Sequence, residues 1–219
     1  MAAKSARTGN CMRKTGFTLI ELLIVVAIIS ILLGLAVPAL TKSSRRARVV
    51  ETSALIQRLK AALDKYQADF GDYPPTSIAD MGFATNGIND GVESLLVSLA
   101  TTQKDGPYFE PEEKFLANLD NDSVPGSYNL TWYFGDRNAR EIVDSWGNPL
   151  VYFHYRDYDN PKANLQRYKL ANKKYASSVR PKKSQKTNTF PSWDSFEIWS
   201  SGPDGVNENG EGDDITSWK

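Results

Sequence analysis

The stretch that decides the fold is Phe17-Thr18-Leu19-Ile20-Glu21-Leu22-Leu23-Ile24-Val25-Val26-Ala27-Ile28-Ile29-Ser30-Ile31-Leu32-Leu33-Gly34-Leu35-Ala36-Val37-Pro38-Ala39-Leu40. As a helix its 24 residues span about 36 Å, enough to cross a hydrocarbon core of roughly 30 Å. A Leu/Ile/Val run inside a bilayer must be helical, because no water is present to satisfy its backbone groups. Glu21 breaks the pattern, since a carboxylate among apolar neighbours costs several kcal/mol unless it finds a partner or a proton (~3 kcal/mol on insertion scales). The preceding residues, 1–16, carry Lys4, Arg7, Arg13 and Lys14 and no acid. That bias predicts an N-terminus held in the cytoplasm and a chain that crosses after it. The apolar run is longer than a secretory h-region, and no small-residue cleavage site follows it. Cys11 has no apolar segment before it, which argues against a lipoprotein signal.

A basic leader, Gly16, Phe17 and then Thr-Leu-Ile-Glu-Leu-Leu-Ile-Val-Val resembles the class III signal of type IV pilins and type II secretion pseudopilins. The resemblance implies cleavage between Gly16 and Phe17 by a membrane prepilin peptidase, N-methylation of Phe17, and a role for Glu21 in assembly. The helix then anchors the subunit until it enters a filament. A plain signal-anchor helix is the bland alternative.

Composition bounds the rest. Beyond the apolar helix the chain has length for one soluble domain. Of 26 basic and 26 acidic residues, four basic ones lie in the leader, so the remaining side chains carry 22 against 26, a net charge of −4. A generally cationic, nucleic-acid-binding protein is not indicated. Cys11 is the only cysteine and would leave with the leader, so an exported domain must be held by its core or by something such as a metal.

After Pro38 the helix is expected to continue, because proline can kink a helix without ending it. Arg45, Arg46 and Arg48 read as a solvated face near the membrane surface, with a lipid-binding patch as the alternative. Leu55, Leu59, Ala62, Leu63, Tyr66 and Phe70 then recur at three- and four-residue spacings, predicting an amphipathic second half. Gly71-Asp72-Tyr73-Pro74-Pro75 stops it, so one helix is expected from about Phe17 to Phe70. This resembles the pilin architecture: an α+β fold with a long N-terminal helix packed on a small antiparallel sheet. The expected layout is a cleaved leader at 1–16, a membrane or filament-core helix at 17–40, and a periplasmic domain at 41–219.

Within that domain Gly91–Leu99 reads as a short helix, and Gly106-Pro107-Tyr108-Phe109 as a turn into an extended piece. Together they resemble the region after the long helix in the type II major pseudopilin. Residues 110–143 exceed what that family leads one to expect, and Tyr128, Trp132, Tyr133 and Phe134 have a spacing compatible with a strand or hairpin. Asp144-Ser145-Trp146-Gly147-Asn148-Pro149 leads into an aromatic, β-branched run, which predicts a turn feeding a strand. It too resembles major pseudopilins, and its bland reading is a turn held by an Asp side chain and a buried indole. His154, the only histidine, is expected to be packed or on the surface, arguing against a histidine-based catalytic or zinc site. Between Lys162 and Lys186 lie nine Lys or Arg residues and no acid, which reads as an exposed loop or edge hairpin. Its functional alternative is contact with an acidic surface on a neighbouring subunit, for which the acidic C-terminal loop of this same chain is a candidate.

That loop runs Ser201-Gly202-Pro203-Asp204-Gly205-Val206-Asn207-Glu208-Asn209-Gly210-Glu211-Gly212-Asp213-Asp214-Ile215, after the predicted strand Phe196–Ser200. Oxygen-bearing side chains between glycines suit a hard cation, since Ca²⁺ takes six to eight oxygen ligands at about 2.3–2.6 Å. An EF-hand is excluded, because its register puts Gly205 and Thr216 at the terminal ligand positions. The loop resembles the C-terminal calcium loop of type II major pseudopilins, which implies Asp204, Asp213 and Asp214 as metal residues with Ser201 and Val206. Glu211 is a further candidate. Where that family usually has a residue between its last two acids, Asp213 and Asp214 are adjacent, so either can be the ligand. The alternative is a solvated acidic turn.

No nucleophile–base pair, phosphate-cradling loop, CxxC pair or metal triad stands out, so an enzyme is not expected. Three functions remain: a type II secretion pseudopilus subunit, a type IV pilus subunit for adhesion, motility or DNA uptake, and a membrane-anchored binding module. The acidic loop, the Asp-x-Trp-Gly-Asn-Pro turn and the cysteine-free mature domain favour the first. The resemblance then implies a homopolymer drawn from the inner membrane by an assembly platform and a separate ATPase, with minor pseudopilins as further partners. Its growth would push substrates across the outer membrane.

Overall fold

The computed structural model describes residues 17–123, 138–161, 163, 167–176, 178–184 and 186–219. The leader with Gly16, and the aromatic residues of 128–134, lie outside the described residues. The chain divides into two units, Met1–Ser44 and Arg45–Lys219.

Helix α1 covers Leu19–Phe70, beginning two residues after the expected start and continuing through position 38. In the first unit its described apolar side chains are exposed, Leu19 at 81% and Leu40 at 67%. It is the one helix among the described residues that is long and apolar enough to cross a membrane. Ser30 Oγ donates to the Val26 carbonyl at 2.8 Å, so even this hydroxyl has a partner along the helix.

In the second unit the predicted stripe forms. Leu55, Leu59, Ala62 and Leu63 are buried with Ile56, while Tyr66 and Phe70 are half-buried and stack at 4.4 Å. Helix α2, Asp90–Leu99, adds Val92, Leu95, Leu96 and Leu99 to the same core. A two-stranded pair follows, β1 (Leu116–Ala117) against β2 (Glu141–Ile142). Strands β3 (Val151–His154), β4 (Phe196–Ser200) and β5 (Ile215–Thr216) form an antiparallel sheet with β4 in the middle.

Strand alternation divides this sheet between two cores. Tyr152, Phe196 and Ile198 join the cluster of α1 and α2. Val151, Phe153 and Trp199 face a second cluster with Tyr158, Tyr168 and Val179, and Phe153 stacks on Trp199 at 5.8 Å. With both faces covered, every residue of β3 and β4 is buried. The basic 162–186 segment is therefore more than a solvated loop. It is anchored by Tyr168, Leu170 and Val179, while lysines such as Lys173 and Lys174 stay exposed.

The Asp144–Pro149 turn is held as expected by its acid, with Asp144 Oδ1 accepting from the backbone N–H groups of Trp146 (2.9 Å) and Asn148 (3.0 Å). The Trp146 indole is only half-buried, so the turn rests on hydrogen bonds rather than on a buried ring. His154 is packed: its Nε2 lies 3.1 Å from Asp72 Oδ1 and its Nδ1 accepts from the Arg156 N–H.

Candidate functional site

At the N-terminal end, Phe17 and Thr18 precede the first turn of α1. Glu21 Oε2 accepts from the Thr18 backbone N–H at 2.8 Å and from Thr18 Oγ1 at 2.6 Å, and Thr18 Oγ1 receives the Glu21 N–H at 3.3 Å. This is a capping box, in which residues three apart each satisfy a helix-end donor of the other. The Thr18-Leu19-Ile20-Glu21 spacing carries that signal in plain view, and the sequence reading passed over it.

The C-terminal loop gathers some of its expected residues and separates others. Gly202 takes φ +63°, and a Cβ there would lie 2.3 Å from the Asp213 carbonyl oxygen, so only glycine lets the turn after β4 sit against Asp213. Asp213 also faces Asp204. Burial first, then the charges of Asp204 and Glu208, push its carboxyl upward against the pull of Arg45. Arg45 Nη2 reaches Asp213 Oδ2 at 3.2 Å, so one of the arginines, exposed as expected, also contacts this loop.

Asp214 turns elsewhere. Its Oδ2 accepts from the N–H groups of Gly210 (2.7 Å) and Glu208 (3.1 Å), and burial raises its carboxyl to about 6. Val206 is exposed and donates its N–H to Asp204 Oδ1 at 2.8 Å. Ser201 Oγ, Asp213 Oδ1 and Asp214 Oδ1 are buried oxygens without a hydrogen-bond partner. Such atoms carry a desolvation penalty that a cation would remove.

The basic segment does meet this acidic loop, within the same chain. Lys182 Nζ lies 3.1 Å from the Glu208 carbonyl oxygen and 3.4 Å from Glu211 Oε2, and the Arg180 N–H donates to Asn209 Oδ1 at 2.9 Å.

A second acidic group escaped the sequence reading. Glu93, Asp120 and Asp122 place carboxylate oxygens within 4.8 Å of one another, an arrangement able to hold a divalent cation. Glu93 is almost fully buried on α2, and burial together with the charges of Asp122 and Asp120 pushes its carboxyl up to about 10. Asp122 rises to about 7, from burial and the neighbouring Asp120, and Glu141 to about 7, chiefly from burial. Glu93 lies 27 residues or more from its partners, so no local motif announces the group.

An apolar helix opened by a threonine-glutamate box and joined to a small antiparallel sheet defines a pilin-like subunit. The family model described as the prokaryotic N-terminal methylation motif matches residues 11–37. The chain is 34% identical over 139 residues to type II secretion system core protein G of Escherichia coli K12, covering 64% of this chain and 71% of that protein. It is 29% identical over 140 residues to core protein G of Pseudomonas aeruginosa, covering 64% of this chain and 73% of that one. A fimbrial protein of Neisseria meningitidis serogroup B is 40% identical over 77 residues, 35% of this chain and 44% of the relative. No solved structure matches the chain. The chain belongs to the pilin-like family that includes type II secretion core protein G and the type IV pilins. Its relatives are structural proteins, and it is a non-catalytic structural subunit of the filament-forming type.

Proposed function

We propose that the chain is a structural subunit of a type II secretion pseudopilus, polymerising through its apolar helix to drive protein export across the outer membrane. The observation that carries this reading is the extent of the relationship to core protein G, 71–73% of those proteins against 44% of the meningococcal fimbrial protein. In this reading residues 1–16 are removed by a prepilin peptidase between Gly16 and Phe17, and Phe17 is N-methylated. Residues 17–40 anchor the subunit in the inner membrane, and 41–219 form its periplasmic domain. An assembly platform draws subunits into a homopolymer that minor pseudopilins join.

The C-terminal loop is proposed to hold Ca²⁺. Asp213 and Asp204, which face each other, supply carboxylates, and Ser201 offers its unpartnered hydroxyl. Asp214 offers Oδ1 while its other oxygen fixes the backbone at Glu208–Gly210. Val206, beside Asp204, is proposed as the remaining ligand residue. A bound ion would supply the cross-link between the turn after β4 and the start of β5 that a disulfide supplies in other exported domains.

The type IV pilus reading is favoured by one observation, the higher identity (40%) to the fimbrial protein over its shorter match. Deletion of the gene in its host separates the two. Trapping of exported proteins in the periplasm with motility and DNA uptake intact supports the secretion role. Intact export with lost motility, adhesion or DNA uptake overturns it in favour of the pilus.

A further inference from the structure

Glu93 occupies the first turn of α2 and is 2% exposed, yet its Oε1 has no hydrogen-bond partner. An acid that deep normally lines up with an arginine, a lysine or several N–H groups. Here it meets more acid. Asp120 and Asp122 stand on the loop after β1, and each has its Oδ1 buried without a partner. Their other oxygens are both taken by one amide, Asn86 Nδ2, at 2.7 Å from Asp120 Oδ2 and 3.1 Å from Asp122 Oδ2. One orphaned oxygen per carboxylate remains, three in all.

The loop is built to keep them together. Asn118 closes it at both ends, its Nδ2 donating to the Asp122 carbonyl at 2.8 Å and its Oδ1 accepting the Asp122 N–H at 3.2 Å. Asn121 takes φ +63° between the two aspartates. Glu141 on β2 fastens the strand side: its carboxylate accepts from the Leu119 N–H and, at 2.7 Å, from Asn89 Nδ2. Asn89 is the residue before α2, so the same network sets Glu93 against the loop.

We infer that Glu93, Asp120 and Asp122 form a second Ca²⁺ site, separate from the C-terminal loop, that ties the first turn of α2 to the loop after β1. The donors are carboxylate oxygens, which select a hard cation over zinc or copper. Two oxygens on one Ca²⁺ stand at most about 4.6–5.2 Å apart, twice the bond length, and the three carboxylates offer oxygens within 4.8 Å of one another. The ion would give each orphaned oxygen its partner. Asn86, by holding both Oδ2 atoms, is a positioning residue for the two aspartates.

The test uses the full chain in detergent, stripped with EGTA and then exchanged into chelator-free buffer. Calorimetric titration with CaCl₂ and elemental analysis after dialysis against Ca²⁺ count the ions. Two per chain are expected in the wild type, one in Glu93→Gln and one in Asp204→Ala, with none in the double variant. Asp122→Asn, at a half-buried position, repeats the Glu93→Gln measurement where that variant fails to fold. Asp204→Ala protein that holds no Ca²⁺ overturns the second site, as does an unchanged count in both Glu93→Gln and Asp122→Asn. Retention of one ion in Asp204→Ala that Glu93→Gln then removes supports it, even if the wild type holds only that one and the C-terminal proposal fails. Binding of Mg²⁺ with no Ca²⁺ uptake overturns the calcium assignment.

Discussion

At Thr18–Glu21 one carboxylate has two possible uses. In the single chain Glu21 closes the helix end through the Thr18 N–H and hydroxyl. Removal of residues 1–16 followed by N-methylation would leave a charged secondary amine on Phe17, one residue from the same threonine. In a low-dielectric filament core an unpaired carboxylate is costly, and such an amine from an adjacent subunit is the partner that offsets part of its desolvation. In the proposed filament the capping box would satisfy Glu21 before assembly, and assembly would exchange that partner for an ionic one. Glu21→Val is expected to insert into membrane normally, because it removes an acid from an apolar segment, and to lose filaments in sedimentation and electron microscopy. Thr18→Val removes the hydroxyl but leaves the acid, so it should still assemble. Normal filaments from Glu21→Val would leave the acid with its capping role alone. The exchange requires the cut itself: mass spectrometry should find N-methyl-Phe17 at the start of the mature chain. An intact residue 1, or a start after Leu40, removes the basis for the pairing.

Among the elements, β4 shows how a strand can be legible while its chemistry is not. The run Phe196-Glu197-Ile198-Trp199-Ser200 opens with an apolar–polar–apolar alternation that would leave Glu197 in water, although Trp199 shares the face of Glu197. Its second face is instead covered by Tyr158, Tyr168 and Val179, so Glu197 is 1% exposed with Oε1 unpartnered, and burial raises its carboxyl from 4.5 to about 8. The native state therefore keeps a proton that the unfolded chain gives up near 4.5. The stability this confers is complete below that pH and is lost as pH rises through about 8, at up to about 1.4 kcal/mol per unit for one proton. Glu197→Gln should flatten the decline in denaturant stability between pH 5 and 8 and leave a protein more stable than wild type at pH 8. An unchanged slope would mean that Glu197 is ionised in the fold. The same distinction separates what the sequence made legible elsewhere. The stripe Leu55–Leu63, helix α2 and strands β3 and β4 follow from local periodicity, and they formed. Glu93 among acids, Arg45 on Asp213, and the anchoring of a basic segment by Tyr168 and Val179 depend on neighbours distant in the chain, which no local pattern encodes. The half-buried Trp146 belongs here too, because whether an indole is covered depends on what packs over the turn.

On the scale of the molecule, the C-terminal loop is where several distant parts of the second unit converge. Arg45 from α1 reaches Asp213, Lys182 reaches Glu208 and Glu211, and Ser200 Oγ donates to Asp144 Oδ2 at 2.6 Å, joining β4 to the turn before β3. The ion pairs are exposed, and pairs of that kind contribute about 0–1 kcal/mol each. They are too weak to offset the crowding of Asp204, Asp213, Asp214 and Glu208, and Cys11, the only cysteine, cannot bridge the loop to anything. A ligand that binds only the folded state adds about 2.7 kcal/mol at a hundredfold excess over its Kd, a large share of a typical 5–15 kcal/mol. Each kcal/mol moves the melting temperature of a domain this size by about 2–4 °C. The full chain in detergent should accordingly melt several degrees lower in EGTA than in millimolar Ca²⁺. Mg²⁺ should restore the loss poorly, because it resists dehydration and demands a tighter octahedral shell. Asp204→Ala should remove the share of the calcium shift that belongs to the loop, leaving whatever the Glu93 group contributes, and Arg45→Ala should change the shift little. A wild-type melting temperature indifferent to EGTA and Ca²⁺ would reduce the loop to an acidic turn steadied by Arg45 and Lys182. The preference for a secretion subunit over a pilus subunit would then rest on the length of the match to core protein G, the Asp-x-Trp-Gly-Asn-Pro turn and the cysteine-free mature domain.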